Sequence, residues 1–231
     1  MVRDRPHGCY YDNARFMIRI IPLFISLAFS QSISLQKMDS GVEASFRGLS
    51  VVNQKVVWVS GTGGTVLRTV NGGESWKNVS VPNMEKTDFR DVEGFDKNTA
   101  IVMGIASPAR FYKTTDGGQN WNLVHYDNRE GVFYDGMSFW NRKNGISFSD
   151  PIDGHHLLIR TTDGGESWQE IPKDGFPKKL DPEFGFAASG TGIPVQGRQT
   201  VWLGMGGKKS RVFKSEDGGL NWYATETPVV H

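Results

Sequence analysis

Four copies of one eight-residue pattern limit the folds open to this chain. They are Thr69-Val-Asn71-Gly-Gly-Glu-Ser75-Trp76, Thr114-Thr-Asp116-Gly-Gly-Gln-Asn120-Trp121, Thr161-Thr-Asp163-Gly-Gly-Glu-Ser167-Trp168 and Ser215-Glu-Asp217-Gly-Gly-Leu-Asn221-Trp222. The shared rule is Ser/Thr-x-Asp/Asn-Gly-Gly-x-Ser/Asn-Trp, and its Asx positions lie 45, 47 and 54 residues apart. Self-similarity at such a period marks a fold built from copies of one supersecondary unit.

The flanks repeat with the boxes. Each box follows a short alternating stretch: Val66-Leu67-Arg68, Phe111-Tyr112-Lys113, Leu158-Ile159-Arg160 and Val212-Phe213-Lys214. Apolar runs such as Val56–Val59 and Ala100–Met103 come before these. Further upstream, Phe46-Arg47-Gly48-Leu49, Phe89-Arg90-Asp91-Val92 and Phe133-Tyr134-Asp135-Gly136-Met137 align, and Phe184 to Ala188 forms a poorer fourth copy. Three strands before each box and one after it give a four-stranded antiparallel blade. No window carries a 3.6-residue apolar period, so the expected fold is an all-β propeller with about four blades. Their expected limits are 45–82, 83–127, 128–175 and 176–231.

Elementary chemistry assigns the boxes to turns. The Asx side chain is expected to bond backbone N–H groups two residues on, and the glycine pair supplies positive φ. The Ser/Thr hydroxyl adds a local hydrogen bond, and the indole packs on the sheet. Asn71, Asp116, Asp163 and Asp217, with Trp76, Trp121, Trp168 and Trp222, are therefore expected to be structural. Isolated carboxylates about 45 residues apart make no catalytic or calcium-binding pair.

These residues resemble the BNR/Asp-box superfamily, whose boxes lie on the outer rim of propeller blades. Within it, the Thr-Asp-Gly-Gly-x-x-Trp form and the run Thr87-Asp88-Phe89-Arg90-Asp91 are most similar to the photosystem II stability/assembly-factor-like propellers. The resemblance covers about residues 44–228 and implies about seven blades, hence a larger ring of which four blades stand here. Closure with four blades and assembly of copies are the alternatives. It also implies arginines that bind a partner protein, and Arg47 and Arg90 hold equivalent repeat positions. They are the candidates for an anionic contact, with pairing to neighbours such as Asp91 as the alternative.

A second function class follows from the same superfamily: a sialidase-like or other glycoside hydrolase acting on extracellular glycans. Arg47, Arg90, Arg110 and Tyr134 do not complete the sialidase-like set. Asp88, Asp91 and Asp135 lie beside inner-strand segments and could form a carboxylate pair near the axis. The run Asp150-Pro151-Ile152-Asp153-Gly154-His155-His156 offers weak metal candidates in Asp150, Asp153 and His155, against a plain hairpin turn. No cofactor is expected: Gly61-Thr-Gly-Gly-Thr-Val66 lacks the third glycine of a dinucleotide loop, and no nucleophile elbow or zinc helix is present. In the long spacer Lys173–Gln199, Phe176 is expected at the tip of a protruding loop that includes Ser189-Gly190-Thr191-Gly192.

The N-terminus has the pattern of an export signal. Arg15 and Arg19 precede an apolar run from Ile20 to Phe29, and Ala28-Phe29-Ser30 sets a cleavage site before Gln31. Residues 1–30 are the expected signal peptide, with Met17 an alternative start, and 31–44 a linker or closing strand. The run is too short to span a bilayer, so no stable membrane span is expected after cleavage. Cleavage removes Cys9, the sole cysteine, and leaves 22 basic against 23 acidic side chains. That balance excludes nucleic acid as the expected partner, and the thiol's loss excludes disulfides. A secreted or periplasmic scaffold that binds another protein is the expectation, with a glycan as the alternative ligand.

Overall fold

The computed structural model describes residues 34–105, 107–187 and 191–229. The export signal and the first residues of the 31–44 segment lie outside them, as do Ser189 and Gly190. Residues 34–37 fall in a separate unit from the sheets, whose strands lie between Phe46 and Glu226.

Four antiparallel sheets follow one another along the chain. Sheet I holds β1 (Phe46–Val51), β2 (Val57–Gly61), β3 (Val66–Thr69) and β4 (Lys77–Asn78). Sheet II holds β5 (Phe89–Gly94), β6 (Ala100–Gly104), β7 (Ala109–Thr114) and β8 (Asn122–Asp127). Sheet III holds β9 (Tyr134–Phe139), β10 (Gly145–Ile152), β11 (His155–Thr161) and β12 (Gln169–Glu170). Sheet IV holds β13 (Glu183–Phe184), the added strand β14 (Val195–Gln196), β15 (Thr200–Gly207), β16 (Arg211–Ser215) and β17 (Tyr223–Glu226).

Spatial order follows chain order in sheets I–III, and β13-β15-β16-β17 repeats it in sheet IV while β14 pairs β15. The first strands meet across the sheets: β1 packs on β5, and β5 on β9. This is the architecture of propeller blades, with every box between the third and fourth strands.

Burial explains why the second strands read as unbroken apolar runs. All five residues of β6 are buried. Ala100 and Val102 join Trp58, Val66 and Val79 in the core between sheets I and II, while Ile101 and Met103 join Met137 and Ile159 between II and III. A strand with neighbours on both faces has no face to leave polar. Sheets III and IV share Ile146, Phe148, Leu158, Val201, Leu203 and Phe213. Thus the core is three interleaved layers between four sheets.

The spacer expected to protrude instead builds structure. It supplies one 3-10 turn at Lys173–Gly175, then β13 and β14. Phe176 is not an exposed tip: its ring lies 4.9 Å from Phe213, 4.3 Å from His156 and 5.1 Å from Trp222. An apolar ring gains more from that aromatic pile than from water.

Candidate functional site

The boxes form closed turns with little left to offer a ligand. In box three, Thr161 Oγ1 donates to Asp163 Oδ1 at 2.7 Å, and Asp163 Oδ1 accepts from the N–H groups of Glu166 (3.0 Å) and Ser167 (3.1 Å). Ser167 Oγ takes the second carboxylate oxygen at 2.6 Å. Boxes two and four repeat this through Asp116 and Asp217. The Asx bonds thus reach three and four residues on, rather than two. The glycine two residues on donates to the Ser/Thr hydroxyl instead. Hydrogen bonds led by the Asn120 N–H hold Asp116 at about 2. At Asp163 burial, the largest single influence, pushes up, but the bonds from Ser167, Thr161 and Glu166 together outweigh it and again give about 2.

The box tryptophans of sheets II, III and IV pack against the sheet before them. Trp121, from sheet II, donates to Val79 O of sheet I at 2.9 Å and meets Trp58 edge-on at 6.4 Å. Trp168 packs 5.4 Å from Phe111 of the sheet before it. Each second box glycine also abuts a neighbour. A Cβ on Gly118 would meet Val79 at 2.5 Å, one on Gly165 would meet Ile101 at 2.2 Å, and one on Gly219 would meet Ile146 at 2.5 Å. Corner and inter-sheet seam are therefore one device.

Ionisable groups with unusual environments gather on the inner strands. Each of the first three inner strands carries a β-bulge at the same register, with Arg47, Arg90 and Asp135 as the extra residues. Phe46, Phe89 and Tyr134 are thus equivalent, so Tyr134 rather than Phe133 takes the aromatic position in sheet III. Bulges turn a side chain out of the regular alternation. Arg47 and Arg90 do share one place on adjacent blades, and Asp135 stands in that place on the third.

The two arginines are held differently. Arg90 Nε donates to Asp88 Oδ2 at 3.0 Å, and its guanidinium lies 5.6 Å from the Phe133 ring. Its partner is Asp88, not Asp91. Arg47 has no ion pair among the described residues, and its buried Nε has no hydrogen-bond partner. Arg110 is on β7, bonded to Pro108 O and set 5.3 Å from the Tyr126 ring, so no triad with Arg47 and Arg90 forms on the inner strands.

Burial shapes the carboxylates. Asp91 Oδ2 accepts from Met137 N at 2.8 Å and Oδ1 from its neighbour Val92 N at 2.8 Å, tying sheet II to sheet III. Burial raises Asp91 to about 7, and those bonds only partly oppose it. Asp135 is 1% exposed, and its Oδ2 has no hydrogen-bond partner. Burial, with the charge of Asp150, raises it to about 8, against the opposing pull of Arg90. Asp150 is also raised by burial, and its Oδ1 accepts from Gly185 N at 2.8 Å. Only glycine fits between them, since a Cβ on Gly185 would come 2.6 Å from Asp135 Oδ2. Asp135 and Asp150 therefore flank one backbone segment of sheet IV.

The weak metal candidates separate. Asp150 is engaged as described, Asp153 sits in a turn with φ 49°, and His155 is exposed. Among the described residues no group of three or more His, Cys, Asp or Glu side chains is placed to hold a metal. His156 joins a network that no motif in the chain announces. Glu183 bonds Arg211 Nε at 2.7 Å and His156 Nε2 at 2.9 Å, all three buried between sheets III and IV. Burial pushes His156 down to about 4, so it is neutral there at pH 7.

A family model described as photosynthesis system II assembly factor YCF48 matches residues 28–131. The xyloglucanase Xgh74A of Acetivibrio thermocellus is 25% identical over 186 residues, covering 69% of this chain and 22% of that enzyme. The photosystem II assembly lipoprotein Ycf48 of Synechococcus sp. strain CC9902 is 24% identical over 138 residues, 59% of this chain and 40% of that protein. The chain thus spans less than half the length of either relative. Among solved structures, a GH74 enzyme of Niastella koreensis shares the fold with a TM-score of 0.55 at 15% identity, over 78% of this chain and 30% of that one. Repeats, sheets and matches together make this a BNR-type propeller chain close to the photosystem II assembly factor family.

Proposed function

We propose that the chain is an exported, non-catalytic scaffold whose inner-strand rim binds an acidic segment of a protein partner. The observation that carries this is Arg47: a cation on a bulge, without a carboxylate partner among the described residues, and with a buried Nε that nothing satisfies. A carboxylate or backbone carbonyl of a partner would complete it, and charge-assisted hydrogen bonds are the strong ones. Arg90, already paired with Asp88, is the secondary contact. The name of the Synechococcus relative, an assembly lipoprotein, supports an assembly role. Export rests on the pattern of residues 1–30, and mass spectrometry of the mature N-terminus checks it: Gln31 is the expected first residue.

The glycan reading is favoured by the sequence similarity to the xyloglucanase and by the proximity of Asp135 and Asp150. Against it, Asp91 and Asp135 are 6% and 1% exposed, too covered to flank a sugar. The test is cross-linked affinity purification from the source envelope with wild-type and Arg47→Glu proteins. A partner enriched by wild type and lost with the variant is expected. Equal recovery with both, or release of reducing ends from xyloglucan by the purified chain, would sink the scaffold role.

A further inference from the structure

Cations clamp the seams between successive sheets, and they repeat in register. From the earlier sheet comes the basic residue just before the box hydroxyl: Arg68, Lys113 or Arg160. The later sheet contributes the turn that leads into its second long strand. In every sheet the first box glycine donates its N–H to a carbonyl of that turn: Gly72 to Lys55, Gly117 to Asn98, Gly164 to Lys143 and Gly218 to Gln199. The shared bond makes the residues just before those carbonyls equivalent, namely Gln54, Lys97, Arg142 and Arg198.

The first two seams satisfy their cations. Between sheets I and II, Arg68 Nη1 donates to Lys97 O. Between sheets II and III, Lys113 Nζ donates to Gly164 O at 2.8 Å and pairs with Glu166 Oε1 at 2.6 Å. From the other side of that seam, Arg142 donates to Phe95 O at 2.8 Å and pairs with Asp96 Oδ2.

Between sheets III and IV both cations lose their partners. Arg160 lies over Gly218, its two terminal nitrogens 3.9 Å from a Cβ placed there, and it has no hydrogen bond or ion pair among the described residues. Arg198, exposed, has none either. One difference within the repeat accounts for Arg198. Asp96 and Asn141 both use Oδ1 to close their turns, on the N–H groups of Asn98 and Thr99 and of Lys143 and Asn144. Asp96 keeps a second oxygen for Arg142, whereas Asn141 has an amide nitrogen, a donor that cannot hold Arg198.

The seam opens at this point into a cavity of about 570 Å³ lined by Trp140, Asn141, Asn144, Arg160, Arg198 and Gln199. Two glycines complete the lining, so no acid faces it. Trp140 Nε1 is taken by Thr200 O at 2.7 Å, which leaves ring carbon as what the indole offers.

We propose that this cavity binds a small organic acid, a carboxylate carried on a ring. The ligand carboxylate takes the part that Asp96 plays in the seam before. The planar forks of Arg160 and Arg198 hold its oxygens, the Asn141 amide adds a donor, and the ring lies against Trp140. A sugar acid and an aromatic acid share this chemistry. The cavity stands at the box end of the inner strands, whereas Arg47 and Arg90 stand near their start, so it is separate from the proposed partner contact.

Isothermal titration calorimetry of the full chain with D-glucuronate, and separately with benzoate, tests this. One equivalent of at least one acid should bind with a Kd of about 1 mM or tighter, and the stronger of the two identifies the source. Arg160→Gln and Arg198→Gln should each weaken that binding about tenfold or more, with circular dichroism as the fold control. Asn141→Asp supplies the carboxylate from within, so it should abolish binding while the melting temperature holds or rises. Absence of binding for both acids at about 10 mM would overturn the proposal. So would glucose or inorganic phosphate that binds as tightly, or an N141D protein that binds as wild type does.

Discussion

Asp163, on the outer corner of sheet III, and Asp135, on the inner strand of the same sheet, hold their protons at opposite ends of the carboxylate range. The first is held near 2 and the second near 8, against an ordinary 3.8. Donor count and water access separate them. Asp163 is exposed and receives bonds from two backbone N–H groups and two hydroxyls. Asp135 is buried, has one oxygen without a donor, and faces the charge of Asp150. Hydrogen bonds to the ionised form favour it, whereas burial disfavours it. The outer corner spends its carboxylate on geometry, and the inner strand keeps titratable groups near neutrality.

The largest consequence is a dependence of stability on pH. Asp91 and Asp135 bind protons more tightly folded than unfolded, so their contribution is complete below about 3.8 and is lost as pH rises through about 7 and about 8. The corner aspartates work the other way. Their contribution is present above 3.8 and lost as pH falls through about 2 at Asp116 and Asp163, and exposure makes it small. Stability should therefore be higher at pH 5 than at pH 9, by an amount on the order of a few kcal/mol. Urea titrations across that range measure it. Asp135→Asn should flatten the upper part of the curve, and an unchanged slope would show that Asp135 does not carry the proton.

A smaller effect compares alanine at the two kinds of site. Asp91→Ala leaves Met137 N without its acceptor between two sheets, costing about 2–3 kcal/mol. Asp163→Ala opens a turn whose N–H groups can reach water, costing about 1 kcal/mol. Urea midpoints at pH 7 rank the two. The reverse order would mean that the box, with its Trp168 seam, carries more of the fold than the inner strand.

What the sequence made legible was local. Box residues lie within eight positions of one another, so Thr161, Asp163 and the glycines declare their turn without tertiary context. Arg47 and Arg90 were legible as equivalents because one bulge repeats. Tyr134 was misplaced by one residue, since a bulge adds a residue that alternation alone cannot register. Phe176 and the Glu183–Arg211–His156 network were invisible for another reason. Their partners are 37, 28 and 27 residues away: the folding of the fourth blade brings Phe176 to Phe213 and Glu183 to Arg211, and the docking of sheet IV on sheet III adds His156. The seam role of the tryptophans was hidden in the same way, because Trp121 meets Trp58 from a different blade.

The smallest effect isolates charge within the corner itself. Asn71 is the one neutral Asx of the four boxes, yet its Oδ1 still accepts from Thr69 Oγ1 at 2.8 Å and from Ser75 N at 3.1 Å. Its amide also donates to Ser75 Oγ at 3.0 Å, where Asp163 accepts from Ser167 Oγ instead. Asn71→Asp reverses that bond and leaves every other partner in place. The gain at pH 7 should be about 0.5 kcal/mol, since an ionised acceptor strengthens a hydrogen bond that water partly screens. By the logic of the other corners, the gain should shrink as pH falls below 3.8 toward about 2. Thermal melts of both proteins at pH 7 and pH 3 read it. A gain that persists undiminished at pH 3 would mean that shape, rather than charge, sets the preference for aspartate at these corners.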